Sequence, residues 1–192
     1  MTTAGNVEER RYDLAVIGGG MAGICASIAA ARLGMKVALI NDRPVLGGNA
    51  SSEIRVPIGG ADHDFRWARE SGIIEELRIE DRFRNHAPIV SGQTNSIWDT
   101  VLWEWTRREP NLDLYLNTSA RGAIMGNKNR IAKIACEQLG TERTFHISAD
   151  LFIDASGDGR IGFSAGAEFR MGRESRREFG ESIAPENEDK KT

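Results

Sequence analysis

Hydrophobic and polar positions along this chain follow a period that changes from one segment to the next. Leu14-Ala15-Val16-Ile17 is an unbroken apolar run of strand length. Residues 24–33 are alanine-rich and of helix length, and Lys36-Val37-Ala38-Leu39-Ile40 reads as a second buried strand. Gly34 stands where a helix C-cap is expected. Strand, helix and strand in this order predict a βαβ unit with parallel strands.

Ile73, Ile74 and Leu77 then space as a helical stripe, with Glu80 and Arg84 placed as a supporting i,i+4 pair. Residues 97–108 predict another amphipathic helix, with Ile97, Val101 and Trp105 on one side and Trp98 and Leu102 on its flank. Its tryptophans, Trp98, Trp103 and Trp105, are expected to pack in the core. Glu109-Pro110-Asn111 ends that helix, and residues 112–116 alternate as a third strand. Three short strands at Ala123-Ile124, residues 131–135 and residues 144–147 are separated by glycine-containing turns and predict a β-meander. Residues 150–154 return as a last apolar strand. The expected architecture is an α/β domain over residues 1–169, a parallel sheet with a three-stranded meander inserted at about 118–148. From residue 170 the character changes: 12 of the 23 residues 170–192 are charged, which leaves little apolar surface for independent folding.

Composition narrows the class. A chain of 192 residues with 40% hydrophobic content can bury the core of one ordinary domain. A net charge of −3 and the lack of a basic, aromatic-interleaved patch argue against a nucleic-acid surface. Cys25 and Cys136 are too few and too far apart in sequence for a disulfide framework or a metal site, so a reduced, cytoplasmic protein without a metal is expected. The first eleven residues are polar and charged, and no apolar run approaches the ~18 residues of a membrane span. Arg10-Arg11 reads as a solvated strand entrance.

The candidate chemistry begins between the first strand and the first helix, where Gly18-Gly19-Gly20-Met21-Ala22-Gly23 fits G-x-G-x-x-G. Gly18 permits the tight turn, Gly20 leaves room for a pyrophosphate, and Gly23 lets the helix pack close to the strand, with Met21 and Ala22 in the first helical turn. The helix start directs unpaired N–H groups and its positive dipole end at the same place, so a dinucleotide is the expected ligand. After the second strand, Asn41-Asp42-Arg43 occupies the region about 20 positions on where an acid normally holds ribose hydroxyls. Asn41 falls at that place, with Asp42 one residue beyond. A neutral residue followed by Arg43 would also tolerate a 2′-phosphate, and a simple turn before Pro44 is the other reading of Asp42. His63 beside Asp64 is the first-ranked histidine for chemistry, against an ordinary polar surface role. His86 suits a helix end, and His146 suits the solvent face of a strand.

Residues 46–55, Leu46-Gly47-Gly48-Asn49-Ala50-Ser51-Ser52-Glu53-Ile54-Arg55, follow. Together with the first glycine turn, this stretch resembles the FAD-dependent oxidoreductases of the glutathione-reductase-like superfamily. The resemblance implies a Rossmann-like FAD/NAD(P)-binding fold and places Gly47, Gly48, Asn49 and Ser51 along the flavin-proximal arm of FAD. Bulk at Gly48 is then expected to disturb the ligand more than the fold. Dithiol members carry a C-x-x-x-x-C pair after the double glycine, whereas residues 49–55 contain no cysteine, so a flavin-to-disulfide relay is excluded there. Ala155-Ser156-Gly157-Asp158 resembles the family's alanine-threonine-glycine motif with serine for threonine, which implies that Ser156, Gly157 and Asp158 lie against the dinucleotide.

The resulting expectation is the FAD-binding part of a flavoprotein oxidoreductase. It acts on an unidentified small-molecule substrate or an external electron partner, with no catalytic acid or base standing out. An NAD(P)-dependent dehydrogenase and a non-catalytic dinucleotide-binding module are the alternatives. Superfamily members are longer, so the chain is expected to be an N-terminal piece without turnover of its own.

Overall fold

The computed structural model describes residues 7–60, 65, 71–86, 95–127 and 129–190. β1 (Glu8–Ile17) leads through a glycine turn into α1 (Met21–Arg32) and β2 (Val37–Ile40). A loop with a single 3₁₀ turn at Gly48–Ala50 follows, and then α2 (Ile73–Arg84) and α3 (Ser96–Arg108). β3 (Leu112–Tyr115), β4 (Thr118–Asn127), β5 (Arg130–Gln138) and β6 (Arg143–Asp154) come next, then the short helices α4 (Arg160–Ser164) and α5 (Arg176–Phe179).

The strands form one six-stranded sheet in the order β3-β2-β1-β6-β5-β4. β3, β2, β1 and β6 run parallel, with Ile17 opposite both Ile40 and Asp154, and β6, β5 and β4 run antiparallel as the expected meander. Parallel neighbours need crossovers, which α1 and the α2–α3 pair supply. Because β1 leads outward to β2 on one side and meets β6 on the other, a crevice opens at the carboxyl ends of β1, β2 and β6, where such sheets bind ligands.

Both faces of the sheet carry core. Leu14, Val16 and Leu39 pack with Ile24 and Ile28 of α1, Leu77 of α2 and Trp98, Val101 and Leu102 of α3. The opposite face gathers Ala15, Ile17, Ile40, Ile134, Phe145, Ile147 and Ile161. Each large apolar side chain fully buried here contributes ~1.5–3 kcal/mol. A one-residue slip of β1 would exchange Val16 for Ala15 on the helix-covered face, so the register is strongly specified.

Two elements differ from their sequence patterns. Residues 144–147 and 150–154, expected as separate strands, form the single strand β6. The polar Ser148 and Asp150 do not interrupt it, because Ser148 bonds the Arg10 carbonyl at 3.1 Å and Asp150 meets Arg11 at 3.0 Å, both on the neighbouring β1. In α3 the buried face is Trp98, Val101, Leu102 and Thr106, while Ile97 is 39% exposed. Trp98 sets this rotation, since its Nε1–H donates to the Ala50 carbonyl at 2.8 Å. α2 follows its pattern: Leu77 is fully buried and Arg84 meets Glu80 at 2.7 Å. His63 and Asp64 lie outside the described residues. Among the described residues, no helix is long and apolar enough to cross a membrane.

Candidate functional site

The first wall of the crevice is the glycine turn. The Gly18 N–H donates to the Ile40 carbonyl at 2.8 Å, and a Cβ added at Gly18 would sit 2.1 Å from the Ala155 carbonyl oxygen, so the turn is pressed between β2 and the residues after β6. A Cβ at Gly23 would lie 1.9 Å from the Gly18 carbonyl oxygen, which makes Gly23 a close-packing residue of α1. Gly20 is different. Its φ of −70° and ψ of 176° suit any residue, and nothing lies within 4 Å of where its Cβ would be. Its missing side chain therefore leaves space open, and that space lies at the start of α1. The helix has neither a side-chain N-cap nor an acidic residue in its first turn, so its leading N–H groups and positive dipole end are available to an anion.

The second wall is the loop after β2, and Asn41 ties it to the first. The buried Asn41 side chain accepts from the Gly19 N–H at 3.1 Å and donates to the carbonyls of Arg43 at 3.1 Å and Val45 at 2.9 Å. The Gly47 N–H donates to the Gly19 carbonyl at 2.8 Å, and Gly47 and Gly48 hold φ of +112° and +57°. A Cβ at Gly48 would approach the Gly20 Cα to 3.1 Å, so bulk there strains the fold itself, contrary to the expectation that it would disturb mainly the ligand. α3 fixes the far end of the loop: Asp99 accepts from the Ser52 N–H at 2.9 Å and from the Ser52 hydroxyl.

The third wall follows β6. Asp154 accepts from the Ser156 hydroxyl at 2.6 Å and from the N–H groups of Ser156 at 3.1 Å, Ile161 at 2.7 Å and Gly162 at 2.9 Å. Burial alone would raise its pKa. The Ser156 hydroxyl and the N–H groups of Gly162, Ser156 and Ile161 together outweigh burial and hold the carboxyl below its ordinary value. Asp154 thereby shapes the Ser156–Asp158 turn and caps the start of α4.

These walls enclose a cavity of about 740 Å³, within the usual ~300–1,000 Å³ of small-molecule and cofactor sites. Gly18, Gly20, Met21 and Ala22 line it from the first wall. Asn41, Asp42, Arg43, Gly47, Gly48 and Asn49 line it from the second, and Ser156, Gly157 and Asp158 from the third. Gly23 and Ser51 do not: Gly23 is packed behind the turn, and Ser51 is buried beneath its loop, where its Oγ accepts from the Glu53 N–H at 3.3 Å. The sequence reading missed Ile54, Val56, Pro57, Ile58, Gly59, Thr118 and Arg160, which also line the cavity. Only Arg160, a charged residue directly after a glycine-rich turn, carried a signal in the sequence. Residues 54–59 have no period, and Thr118 enters because its N–H bonds the Asn41 carbonyl at 2.8 Å.

The arrangement fits a dinucleotide. Free N–H groups and an open Gly20 suit phosphates, and small residues admit the backbone of the ligand closely. Burial pushes the Cys25 thiol up and the Cys136 thiol up to about 12, so both remain protonated near neutral pH.

A stretch of 55 residues is 40% identical to the soluble pyridine nucleotide transhydrogenase of Ectopseudomonas mendocina (strain ymp), covering 29% of this chain and 12% of that protein. The fold matches that of the myxobacterial chondrochloren halogenase CndH, a variant of FAD-dependent halogenases, with a TM-score of 0.57 and 17% identity over 81% of this chain and 39% of that one. It also matches Thermovibrio ammonificans THI4, with a TM-score of 0.54 and 17% identity over 90% of this chain and 64% of that one. The chain thus spans less than two thirds of each of these relatives. A family model described as FAD dependent oxidoreductase matches residues 13–190, almost the entire chain, which therefore belongs to the FAD-dependent oxidoreductase family and has FAD as its cofactor.

Proposed function

We propose that residues 1–169 form the FAD-binding unit of a flavoprotein oxidoreductase of the glutathione-reductase-like group, with FAD lying across the three walls of the crevice. The observation that carries this reading is the open side of Gly20, at the uncapped start of α1 and inside a cavity shared with the loop after β2 and the turn after β6. The leading N–H groups of α1 bind the pyrophosphate. Asn41 positions the turn, because its amide is committed to backbone partners, and the ribose hydroxyls fall to Asp42, whose carboxylate has no partner among the described residues. Gly47, Gly48 and Asn49 run along the flavin-proximal arm, and Gly157 and Asp158 border the returning edge. When bound, the flavin supplies two-electron redox chemistry, while the chain supplies orientation and electrostatics.

The partner is a small-molecule substrate or an external electron carrier, and a reducing cytoplasmic compartment suits two free thiols. The NADP alternative is disfavoured by one contact: the Arg43 guanidinium, which would favour a 2′-phosphate, is held by Glu53 at 3.0 Å. Titration of flavin-free protein with FAD tests the reading. Wild type should bind one FAD, and Gly20→Val should fold normally yet lose binding. Retention of wild-type affinity by the folded variant would remove FAD from this crevice.

A further inference from the structure

We propose that Arg160 is a diphosphate-binding residue, a role that rests on the FAD site proposed above. Among the described residues lining the cavity, Arg43 and Arg160 carry the cationic side chains. Arg43 is taken by Glu53. Arg160 is exposed, and among the described residues its guanidinium makes no hydrogen bond or ion pair; only its backbone N–H is engaged, donating to the Ser156 hydroxyl at 3.1 Å.

The fold brings this side chain to the cavity that the glycine turn also lines. The Ala155 N–H donates to the Ile17 carbonyl at 2.8 Å, so the residues after β6 start alongside Gly18. Gly157 and Gly159, with φ of +88° and +64°, bend the chain so that α4 opens at Arg160. Asp154 already occupies the Ile161 and Gly162 N–H groups, so these cannot serve a ligand, and the guanidinium is the full positive charge that the described residues of this wall offer.

Charge balance supplies the reason for it. Asp42 and Asp158 also line the cavity, and the start of α1 offers only about half an elementary charge against two anionic phosphates. A planar guanidinium meets phosphate oxygens through two parallel hydrogen bonds, which an ammonium does not reproduce.

The test uses the 192-residue chain freed of flavin, with FAD, ADP and adenosine as calorimetric probes at low and high salt. Arg160→Ala should weaken FAD and ADP binding about tenfold or more, leave adenosine binding unchanged, and flatten the salt dependence of ADP binding. Arg160→Lys should recover part of the loss. Melting should not change, because the side chain has no partner to lose among the described residues; should Arg160→Ala unfold nonetheless, Arg160→Gln carries the same expectations. Wild-type FAD and ADP affinities in the variant would overturn the role of Arg160 and leave the FAD site standing. An equal loss for adenosine would mean general distortion and would also overturn it. Failure of the wild type to bind either FAD or ADP would overturn the site itself.

Discussion

The Asn41 side-chain oxygen accepts a hydrogen bond from the Gly19 N–H at 3.1 Å, so the residue after β2 holds the middle of the glycine turn after β1. The same amide donates to the carbonyls of Arg43 and Val45, and one buried side chain sets the relative position of two walls of the site.

Asn41→Ala should therefore cost about 1–3 kcal/mol of stability, since it strands the buried Gly19 N–H and takes a donor from the Val45 carbonyl, while the Arg43 carbonyl keeps the Asn117 N–H. Asn41→Asp keeps the acceptor but replaces both donors with a buried charge, and should destabilise as well. Urea unfolding checks both. A mere change in ligand preference at unchanged stability would show that the amide is not a strut.

Gly48→Ala is expected to lower stability by about 1–2 kcal/mol, because it places a Cβ at φ +57° and 3.1 Å from the Gly20 Cα. Thermal melting without ligand measures the effect. In contrast with Gly20→Val, the loss should be visible before any FAD is added.

Asp99→Ala should loosen the loop that carries Gly47 and Gly48, since the Ser52 N–H and hydroxyl both lose their acceptor. A stability loss of about 1–2 kcal/mol is expected, together with weaker FAD binding. Fluorescence anisotropy of bound flavin is the second measure: a mobile loop should lower it, while helix content by circular dichroism stays the same.

Asp154 predicts a pH dependence. Its carboxyl titrates below its ordinary value in the folded state, so its stabilisation is fully present above the unfolded-state pKa and is lost as pH falls through the folded one. Asp154→Asn should melt below wild type near neutral pH. The gap should close as the solution is acidified through the ordinary aspartate range and below. A gap that is constant with pH would assign the effect to shape alone.

Local demands wrote much of this protein directly into its sequence. The buried runs of β1 and β2, the helix between them and the positive φ of Gly18 and Gly47 are properties of short segments, and each left a pattern of period or of missing side chains. The glycines that face the crevice, Gly18, Gly20, Gly47, Gly48 and Gly157, were legible for the same reason, because backbone can approach a ligand only where side chains are small. Tertiary structure decided the partners. Asn41 ties the loop after β2 to Gly19, which comes within 3.1 Å of its oxygen, and Trp98 turned α3 by reaching Ala50 across 48 positions of chain. Ser148 and Asp150 stayed within one strand because β1 lies beside them, and Arg160 entered the cavity because β6 pairs with β1. A polar group takes whichever partner the packed chain brings within about 3 Å, and that proximity joins residues far apart in sequence, beyond the reach of any local period.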